Sequence, residues 1–313
     1  MLAVLSPAKA LDFSPIPIEV PITEPAFMDD AAALMRTTRS LSQKRIRELM
    51  GLSPDLAKLN YDRYRSFELP FDATNALPAG LAFNGDVYRG LDARSLSAEA
   101  LEWAQSRIAI LSGMFGLLRP LDLIQPYRLE MGTRLKNRRG ENLYAFWGDK
   151  IGRQISAQLE HHEDKTLVNL ASNEYFKAVK AKTLTTPVSE CVFEDWKQSP
   201  DDGTVIGFLA KFARGLMARY IIANRIDRVE GLSGVAELVE ALRELARLLG
   251  VGVQVVGEGR ERVDRQAGQG ALGAAIPLDG DAQPGGRKKV HQPPGLGHGF
   301  SQGGQHHPAE WIY

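Results

Sequence analysis

The spacing of apolar and polar positions predicts helices and strands that alternate along the first 232 residues. Apolar residues recur every three or four positions, with few Gly or Pro, in six expected helices: 27–40, 42–50, 54–66, 97–106, 144–160 and 209–224. Short apolar or β-branched runs predict six strands: 2–5, 80–83, 108–111, 166–170, 188–194 and 204–208. The alternation indicates an α/β (mixed α+β) fold in which helices flank a central mixed, largely parallel sheet.

The pattern changes after Leu232. Residues 233–313 hold 16 of the 30 glycines and four of the six histidines, and no aromatic residue occurs from 233 to 299. An amphipathic stretch at 235–249 suits a helix, but the rest lacks the periodicity and bulky residues that a core needs. We therefore divide the chain into a 1–232 domain and a 233–313 tail that we expect to be disordered. The tail histidines lack a carboxylate or thiol framework, so we expect no metal site there.

Composition narrows the class of protein. An apolar fraction of 44% supplies a normal core, whereas no apolar run reaches the 18 or so residues of a membrane helix. The apolar opening ends by Lys9 and does not resemble a signal peptide, and Cys191 is the single cysteine, which excludes an internal disulfide framework. We expect a cytoplasmic protein without membrane contact.

Formal charge is zero, so net charge gives no argument for a nucleic-acid partner. Charge is nevertheless segregated locally. Residues 36–65 hold eight Lys or Arg against three Asp or Glu, and residues 119–139 hold six against two. Such runs are also typical of solvated helix faces, so each alone fits either explanation.

Five predicted strands are each followed at once by a polar or glycine-containing loop: 6–9, 84–88, 112–116, 171–177 and 210–215. In open α/β sheets, the loops at the carboxyl ends of parallel strands converge on one edge, where backbone N–H groups favour anions. We expect Lys9, Lys177, Lys211 and Arg214 to ring a phosphate-binding cleft at this edge. Ordinary turns and caps explain any one loop equally well, but five in register favour a site.

A long segment at 111–132 alternates anchoring apolar residues with polar ones and is interpreted as one ordered loop. Its Arg119 and Arg128 suit bidentate phosphate contacts. Ion pairs between Arg119 and Asp122, or between Arg128 and Glu130, would instead fix the loop. The two roles are compatible.

Residues 46–59 predict two helices joined by a short turn, which resembles a helix-hairpin-helix. Gly51 lies in the turn, Ser53 is a candidate N-cap, and Pro54 occupies the first position of the second helix. In that motif, backbone N–H groups grip a DNA phosphate, and flanking basic residues such as Lys58 add affinity. Many plain helix pairs also have glycine at this position, so the spacing leaves both possibilities open.

Six segments together resemble the YaaA family, in chain order and without a large gap from residue 1 to about 232. They are Ser-Pro-Ala-Lys-Ala-Leu-Asp-Phe at 6–13, Phe-Asn-Gly-Asp-Val-Tyr-Arg-Gly-Leu at 83–91, the 111–132 segment, Leu-Tyr-Ala-Phe-Trp-Gly-Asp at 143–149, Asn-Leu-Ala-Ser-Asn-Glu-Tyr-Phe-Lys at 169–177 and Ala-Arg-Gly-Leu-Met-Ala-Arg-Tyr at 213–220. The resemblance implies a bacterial cytoplasmic protein of the peroxide-stress response. It also implies a role in limiting free iron, and DNA binding through a basic cleft and a helix-hairpin-helix.

The chain departs from the family after Glu230-Gly231-Leu232. Family members have a short further ending, rich in aromatic and acidic residues, that closes with a strand. Here a tail rich in Gly, Arg, Ala and Gln takes its place. We interpret the tail as the product of a reading-frame shift in a GC-rich gene, which resequencing the locus would test.

Three functional hypotheses follow. The first is a non-enzymatic or weakly enzymatic stress protein that binds double-stranded DNA without sequence preference, as a monomer and without cofactor. It would use Lys9, Arg119, Arg128, Lys177, Lys211 and Arg214 in the cleft and Gly51, Ser53 and Lys58 in the hairpin. The second is an enzyme acting on a nucleotide or damaged nucleic acid, with Lys9, Asp86 and Glu174 as acid and base groups. The third, direct iron binding, is weakened because His161 and His162 are adjacent and would point about 100° apart on a helix.

Overall fold

A five-stranded mixed sheet forms the centre of the fold. The computed structural model describes residues 1–16, 18–191, 193 and 207–233. Its strands are β1 (Leu2–Leu5), β2 (Ala10–Leu11), β3 (Leu77–Pro78), β4 (Phe83–Asn84), β5 (Ile108–Ser112), β6 (Gly116–Leu118), β7 (Leu123–Ile124), β8 (Leu167–Leu170) and β9 (Val188–Glu190). The sheet order is β6-β5-β1-β8-β9, with β5, β1, β8 and β9 parallel and β6 antiparallel to β5. Two short antiparallel pairs, β2 with β4 and β3 with β7, lie outside it.

Helices flank this sheet. They are α1 (Met28–Arg39), α2 (Gln43–Met50), α3 (Pro54–Ser66), α4 (Ala79–Ala82), α5 (Asp86–Leu91), α6 (Ala98–Ala104), α7 (Leu143–Trp147), α8 (Lys150–Leu159), α9 (Asn173–Phe176) and α10 (Gly207–Ala223). The predicted fold class, a mixed sheet flanked by helices, is confirmed. None of the helices in the described part of the chain is long and apolar enough to cross a membrane.

The three inner strands are apolar except for Ser112 at the end of β5 and Asn169 in β8, as expected for strands of a sheet with both faces covered. Every residue of β1, β5 and β8 is buried, and in β1 all four side chains are 1% exposed or less. Strand β1 pairs with β8 on one side, where Leu2–Leu5 lie opposite Leu167–Leu170. On the other side it pairs with β5, where Ala3–Leu5 lie opposite Ile108–Ile110. The loops that follow these strands are therefore held at one edge by the core itself.

The helix predictions are mostly confirmed. Helices α1, α2, α3, α6 and α10 begin and end within two or three residues of the predicted bounds. The single helix predicted at 144–160 is instead two, α7 and α8, because Gly148 takes a positive φ of +57°, which glycine tolerates, and ends the first helix.

The strand predictions at 2–5, 108–111 and 166–170 are confirmed, whereas the strand at 80–83 is wrong. Ala79–Ala82 forms one buried helical turn, and β4 begins only at Phe83. A four-residue apolar run suits a buried turn as well as a strand, so periodicity could not separate them. Strand β9 covers 188–190 of the predicted 188–194. Of the strand predicted at 204–208, residues 207 and 208 belong to α10, and the rest lies outside the described residues, as does the tail from 234 onward.

Two glycines allow α5 and α10 to approach each other closely. A Cβ atom on Gly215 would lie 1.8 Å from the carbonyl oxygen of Val87, and one on Gly90 would lie 2.2 Å from that of Phe212. Only glycine therefore fits at this crossing. The contact fixes α10, which carries two of the predicted site residues, against the helix that begins at Asp86.

Candidate functional site

Four of the five predicted loops meet at the carboxyl edge of the sheet. The hydroxyl of Ser6, just after β1, accepts a hydrogen bond from the backbone N–H of Ser172, just after β8, at 2.9 Å. Tyr88 donates to the carbonyl of Ser6 at 3.1 Å, and Ser112 at the end of β5 bonds to Tyr127 at 2.7 Å. The structure thus brings together the loops 6–9, 84–88, 112–116 and 171–177.

The fifth predicted loop, 210–215, is not a loop but part of α10, and residues 86–88 of the second belong to α5. Gly215 allows α10 to pack closely against α5, and the sequence pattern alone did not reveal this contact. The side chains still reach the same region. Lys211 Nζ lies 4.0 Å from Asp86 Oδ2, and a Cβ on Gly85 would contact Ala8 at 3.0 Å.

Glu130 lies at the centre of a charged cluster on this edge. Its Oε1 accepts hydrogen bonds from Arg128 Nε at 3.1 Å and Arg128 Nη2 at 3.0 Å, and Lys9 Nζ lies 3.5 Å away. The Arg128–Glu130 ion pair considered from the sequence is therefore present. The Lys9 side chain is 68% exposed, whereas that of Arg128 is 16% exposed. Of the two cations, Lys9 is the one open to a ligand.

Glu174 and Lys177 lie beside this cluster, on α9 and the turn after it. Glu174 Oε1 accepts from the backbone N–H of Gly132 at 2.8 Å, and Tyr144 donates to the Glu174 carbonyl at 2.9 Å. The ammonium of Lys177 lies 5.1 Å from the centroid of the Tyr144 ring, within cation–π range. An open groove of about 550 Å³ separates this region from α2, and Glu130 and Glu174 both line it.

The predicted pair of helices at 46–59 is present as α2 and α3. Gly51 is left-handed with φ +61°, and the Ser53 hydroxyl caps α3 by accepting from Leu56 N at 3.3 Å. Lys58 is exposed and pairs with Asp62 at 2.6 Å. The assignment of this pair to the helix-hairpin-helix class stays a prediction.

A buried tyrosine attaches α3 to the site, and the sequence analysis did not select it. The Tyr64 hydroxyl donates to the carbonyl of Arg128. Burial raises the pKa of Tyr64, so its hydroxyl stays protonated and can donate. Burial, and then the positive charge of Arg128, lower the pKa of the neighbouring Arg63. Arg63 was expected only as a basic residue flanking the helix pair, and no sequence signal marked Tyr64, because its partner lies more than sixty positions away.

Arg214 lies deeper than expected. Its Nε is buried without a hydrogen-bond partner in the described protein, and burial lowers its pKa although nearby Glu190, at the end of β9, acts in the opposite direction. Arg214 is therefore held at the edge of the site by α10 rather than displayed at the surface as Lys211 is.

Arg119 does not join the cluster. Strand β6 runs antiparallel to β5, so the chain returns across the sheet and Arg119 emerges at the amino edge. There its Nε and Nη2 donate to Asp122 Oδ1 at 3.1 and 2.9 Å. The segment 111–132 is thus not one loop, and the expectation that Arg119 lines the same cleft as Lys9 is replaced by its ion pair with Asp122.

Within the described ranges, no group of three or more His, Cys, Asp or Glu side chains is arranged to hold a metal ion. The chemistry at the carboxyl edge is therefore that of ammonium and guanidinium groups, two glutamates and backbone N–H groups.

Comparison with known proteins identifies the relatives of this chain. A family model described as "Peroxide stress protein YaaA" matches residues 1–239. A UPF0246 protein of Burkholderia ambifaria is 54% identical over 239 residues, which cover 75% of this chain and 91% of that protein. UPF0246 proteins of Burkholderia multivorans (52% over 238 residues; 75% and 91%) and Bordetella pertussis (53% over 235 residues; 75% and 90%) are similar to comparable extents. Residues 240–313 lie beyond the matched region.

Proposed function

The chain belongs to the YaaA peroxide-stress family, and from that premise we propose that it is a cytoplasmic protein that binds double-stranded DNA at the carboxyl edge of its sheet and helps limit free intracellular iron. The DNA contacts are to phosphates and carry no sequence preference. The observation that supports the proposal is the convergence of the exposed ammonium groups of Lys9, Lys177 and Lys211 on one edge of the sheet.

The arrangement suits a polyanion better than a small substrate. The side chains of Lys9 and Lys211 are 68% and 57% exposed. The nearest carboxylate oxygen lies 3.5 Å from Lys9 Nζ and 4.0 Å from Lys211 Nζ, which is longer than a normal hydrogen bond, so a phosphate can compete for each ammonium group. Arg128 and Arg63 add positive charge behind them. Helices α2 and α3 pack on the same region through Tyr64 and extend the basic surface with Arg45 and Arg47, which are exposed.

Electrostatic binding of this kind has a quantitative signature. Each phosphate neutralised by the protein releases condensed counterions, so the logarithm of the affinity falls linearly with the logarithm of salt concentration, by about 0.9 per phosphate contact. Removing one ammonium that contacts a phosphate lowers the slope by about one and weakens binding similarly for every sequence.

The localising experiment compares Lys9→Ala and Lys165→Ala in the full chain by fluorescence anisotropy with a labelled duplex. Both lysines are exposed, but Lys165 lies before β8 at the amino edge, so the two variants change net charge equally on opposite sides of the sheet. We expect Lys9→Ala to reduce the salt slope by about one, and Lys9→Ala/Lys211→Ala by about two, with no change for Lys165→Ala. Equal losses for Lys9→Ala and Lys165→Ala would place the DNA elsewhere.

The link to iron is tested in cells. We expect a deletion strain to show elevated chelatable iron after a peroxide challenge, the Lys9→Ala/Lys211→Ala chain to leave it elevated, and the Lys165→Ala chain to return it to the wild-type level. If the double variant restores it fully, DNA binding and iron limitation are separate properties.

A second function rests on the groove that Glu130 and Glu174 line. The two carboxylates and the neighbouring Lys9 ammonium offer general acid, general base and anion-binding groups for an enzyme acting on a nucleotide or damaged nucleic acid. Asp86, the third candidate, pairs instead with Arg89 and Lys211. Chromatographic detection of product from nucleotides or damaged oligonucleotides, lost in Glu174→Gln, would favour this alternative.

A further inference from the structure

A second polar cavity lies at the amino edge of the sheet, on the side opposite the proposed DNA surface. It encloses about 430 Å³ between the residues that lead into β5, the turn after β6 and the C-terminal end of α8. Arg107 directly precedes β5, and its carbonyl accepts a hydrogen bond from Ala3 at the start of β1. Arg119, His161 and His162 line this cavity, but the proposed DNA surface does not include it.

Arg107 is a cation without a carboxylate partner in this cavity. Its Nε is buried and makes no hydrogen bond with the described protein. Its Nη1 donates to the Ser106 hydroxyl at 3.1 Å, and its guanidinium lies 5.6 Å from the Trp103 ring centroid. No ion pair within 4.0 Å links it to a carboxylate of the described residues, whereas the Asp122 carboxylate holds Arg119 on the same cavity wall. A buried, unsatisfied N–H of a charged group is rare in folded proteins and points to a ligand.

His162 supplies the complementary acceptor. The residue is 6% exposed, lines the same cavity and has a buried Nδ1 without a hydrogen-bond partner in the described protein. Burial, and then the charge of Arg107, lower its pKa to about 4, so the ring is neutral at physiological pH. The ring also makes a backbone hydrogen bond with Met1. A neutral ring that donates through Nε2 presents a lone pair at Nδ1.

The cavity therefore presents two unpaired buried atoms, the Nε donor of the Arg107 cation and the Nδ1 acceptor of His162. An oxyanion that carries one hydrogen satisfies both, because one of its oxygens accepts from Arg107 while its O–H donates to His162. A fully ionised oxyanion would place a second lone pair against Nδ1 and be rejected. Gln154 and Gln158, one turn apart on α8, line the same wall and offer amide groups to the remainder of a ligand.

We propose that the amino-edge cavity is a binding site for a phosphate group that keeps one hydrogen, either inorganic phosphate or the monoanion of a phosphate monoester, in which Arg107 anchors the phosphate and His162 accepts a hydrogen bond from its P–OH group. The monoester must bind as its monoanion, because its dianion, which forms above a second pKa of about 6, has no P–OH group. The cavity volume exceeds that of a phosphate ion, so it accommodates a small organic group as well. This site is independent of the DNA surface and makes no use of Lys9 or Lys211.

The test titrates the full chain with inorganic phosphate and, separately, with sulfate at pH 6.5 and constant ionic strength, and follows the imidazole signals of His162 by nitrogen-15 NMR. Phosphate carries a hydrogen at this pH and sulfate does not. We expect phosphate to shift the His162 signals and to bind at least about tenfold more tightly than sulfate, the loss expected for one unsatisfied hydrogen bond to a charged group. If neither anion shifts them, a bound water satisfies both atoms and the proposal fails. Equal shifts from the two anions would also overturn it.

Variants separate the contributions. Arg107→Gln should lower phosphate affinity by about tenfold or more, while Arg138→Gln, at an exposed position, should leave it unchanged.

His162→Gln keeps a donor near the position of Nε2 but removes the Nδ1 acceptor. We therefore expect calorimetry to show that this variant no longer binds phosphate more tightly than sulfate. Lys9→Ala/Lys211→Ala should leave the His162 shifts intact, which separates this site from phosphate bound at the DNA surface. Circular dichroism checks the folding of each variant, and the comparison of the two anions on the wild-type chain needs no variant at all.

Discussion

Replacing Gly215 by alanine tests the account of how α10 is positioned. The new Cβ would lie 1.8 Å from the Val87 carbonyl oxygen and 2.8 Å from the backbone nitrogen of Leu91, although Cβ atoms essentially never approach a neighbour closer than 3.0 Å. The obstacle is backbone, so no rotamer change relieves it. Helices α5 and α10 must separate by about 1 Å, which loosens an interface otherwise packed at the density of a protein interior.

The expected magnitude follows from two opposing effects. Overpacking of this kind costs about 3 kcal/mol, and alanine recovers about 0.5 to 1 kcal/mol through its better helix propensity. The net loss is about 2 to 2.5 kcal/mol, which lowers Tm by roughly 4 to 10 °C in a domain of this size. The matched control is Gly207→Ala on the same helix, where nothing lies within 4 Å of the new Cβ, and we expect no loss of stability there.

Urea unfolding followed by tryptophan fluorescence measures both variants. A double variant sharpens the test, since Gly90→Ala forces the same two helices apart by contact with the Phe212 carbonyl. Once the first substitution has opened the crossing, the second costs less, so the double variant should lose less stability than the two single losses added together. Gly215→Ala unfolding at the same urea concentration as Gly207→Ala would refute the reasoning, and strict additivity would refute the shared crossing.

Three further predictions concern single side chains. Burial opposes ionisation of Asp30, but its ion pairs with Lys150 and Arg139 outweigh that effect and lower its pKa, so Asp30→Asn should cost about 2 kcal/mol at pH 7. Because the pKa of Asp30 is lower in the folded state than its value near 4 in the unfolded state, the ionised carboxylate stabilises the fold at pH values above about 4. The cost of Asp30→Asn, measured by urea unfolding, should therefore shrink as the pH falls below about 4. Burial raises the pKa of Cys191 to about 11, so iodoacetamide at pH 8 should alkylate it on the order of a hundredfold more slowly than free cysteine, as measured by mass spectrometry; alkylation at the free-thiol rate would contradict this. Tyr64→Phe leaves a buried backbone carbonyl unsatisfied and should cost about 1 to 2 kcal/mol in the same unfolding assay, whereas an unchanged midpoint would show that this hydrogen bond does not stabilise the fold.

The elements that the sequence predicted well are those determined by local signals. Helices α2 and α3 begin at serine N-caps, and Gly51 between them takes the left-handed conformation that its position suggested. Strands β1 and β8 are short apolar runs bounded by polar residues. In both cases the residues that decide the structure lie within a few positions of one another, so pattern and propensity agree with the final fold.

The errors occur where distant contacts decide the structure. The apolar run at 80–83 becomes a helical turn because Gly80 packs against Pro120, where an added Cβ would lie only 3.2 Å from the carbonyl oxygen. Likewise Gly116, with φ +71° and the Trp147 ring against it, reverses the chain into β6 and carries Arg119 to the opposite edge. Neither contact is visible in the local pattern, because each partner lies at least thirty residues away.

The candidate site was predictable in outline for the same reason. Parallel strands β5, β1 and β8 bring their loops together by topology, so Lys9, Glu174 and Lys177 follow from the strand assignments alone. The central role of Glu130 and the contribution of α3 through Tyr64 depend on how the segment after β7 folds back across the edge. Three-dimensional packing, rather than residue type, selects them.

The central claim is that this chain binds DNA through phosphate contacts at the carboxyl edge. The most direct measurement is the affinity of the full chain for two duplexes of equal length and unrelated sequence, each across a salt series from roughly 50 to 200 mM. The account predicts similar affinities for both duplexes and the same steep linear decrease with the logarithm of salt concentration. Absence of binding at the lowest salt concentration, or a salt-independent preference for one duplex, would contradict it.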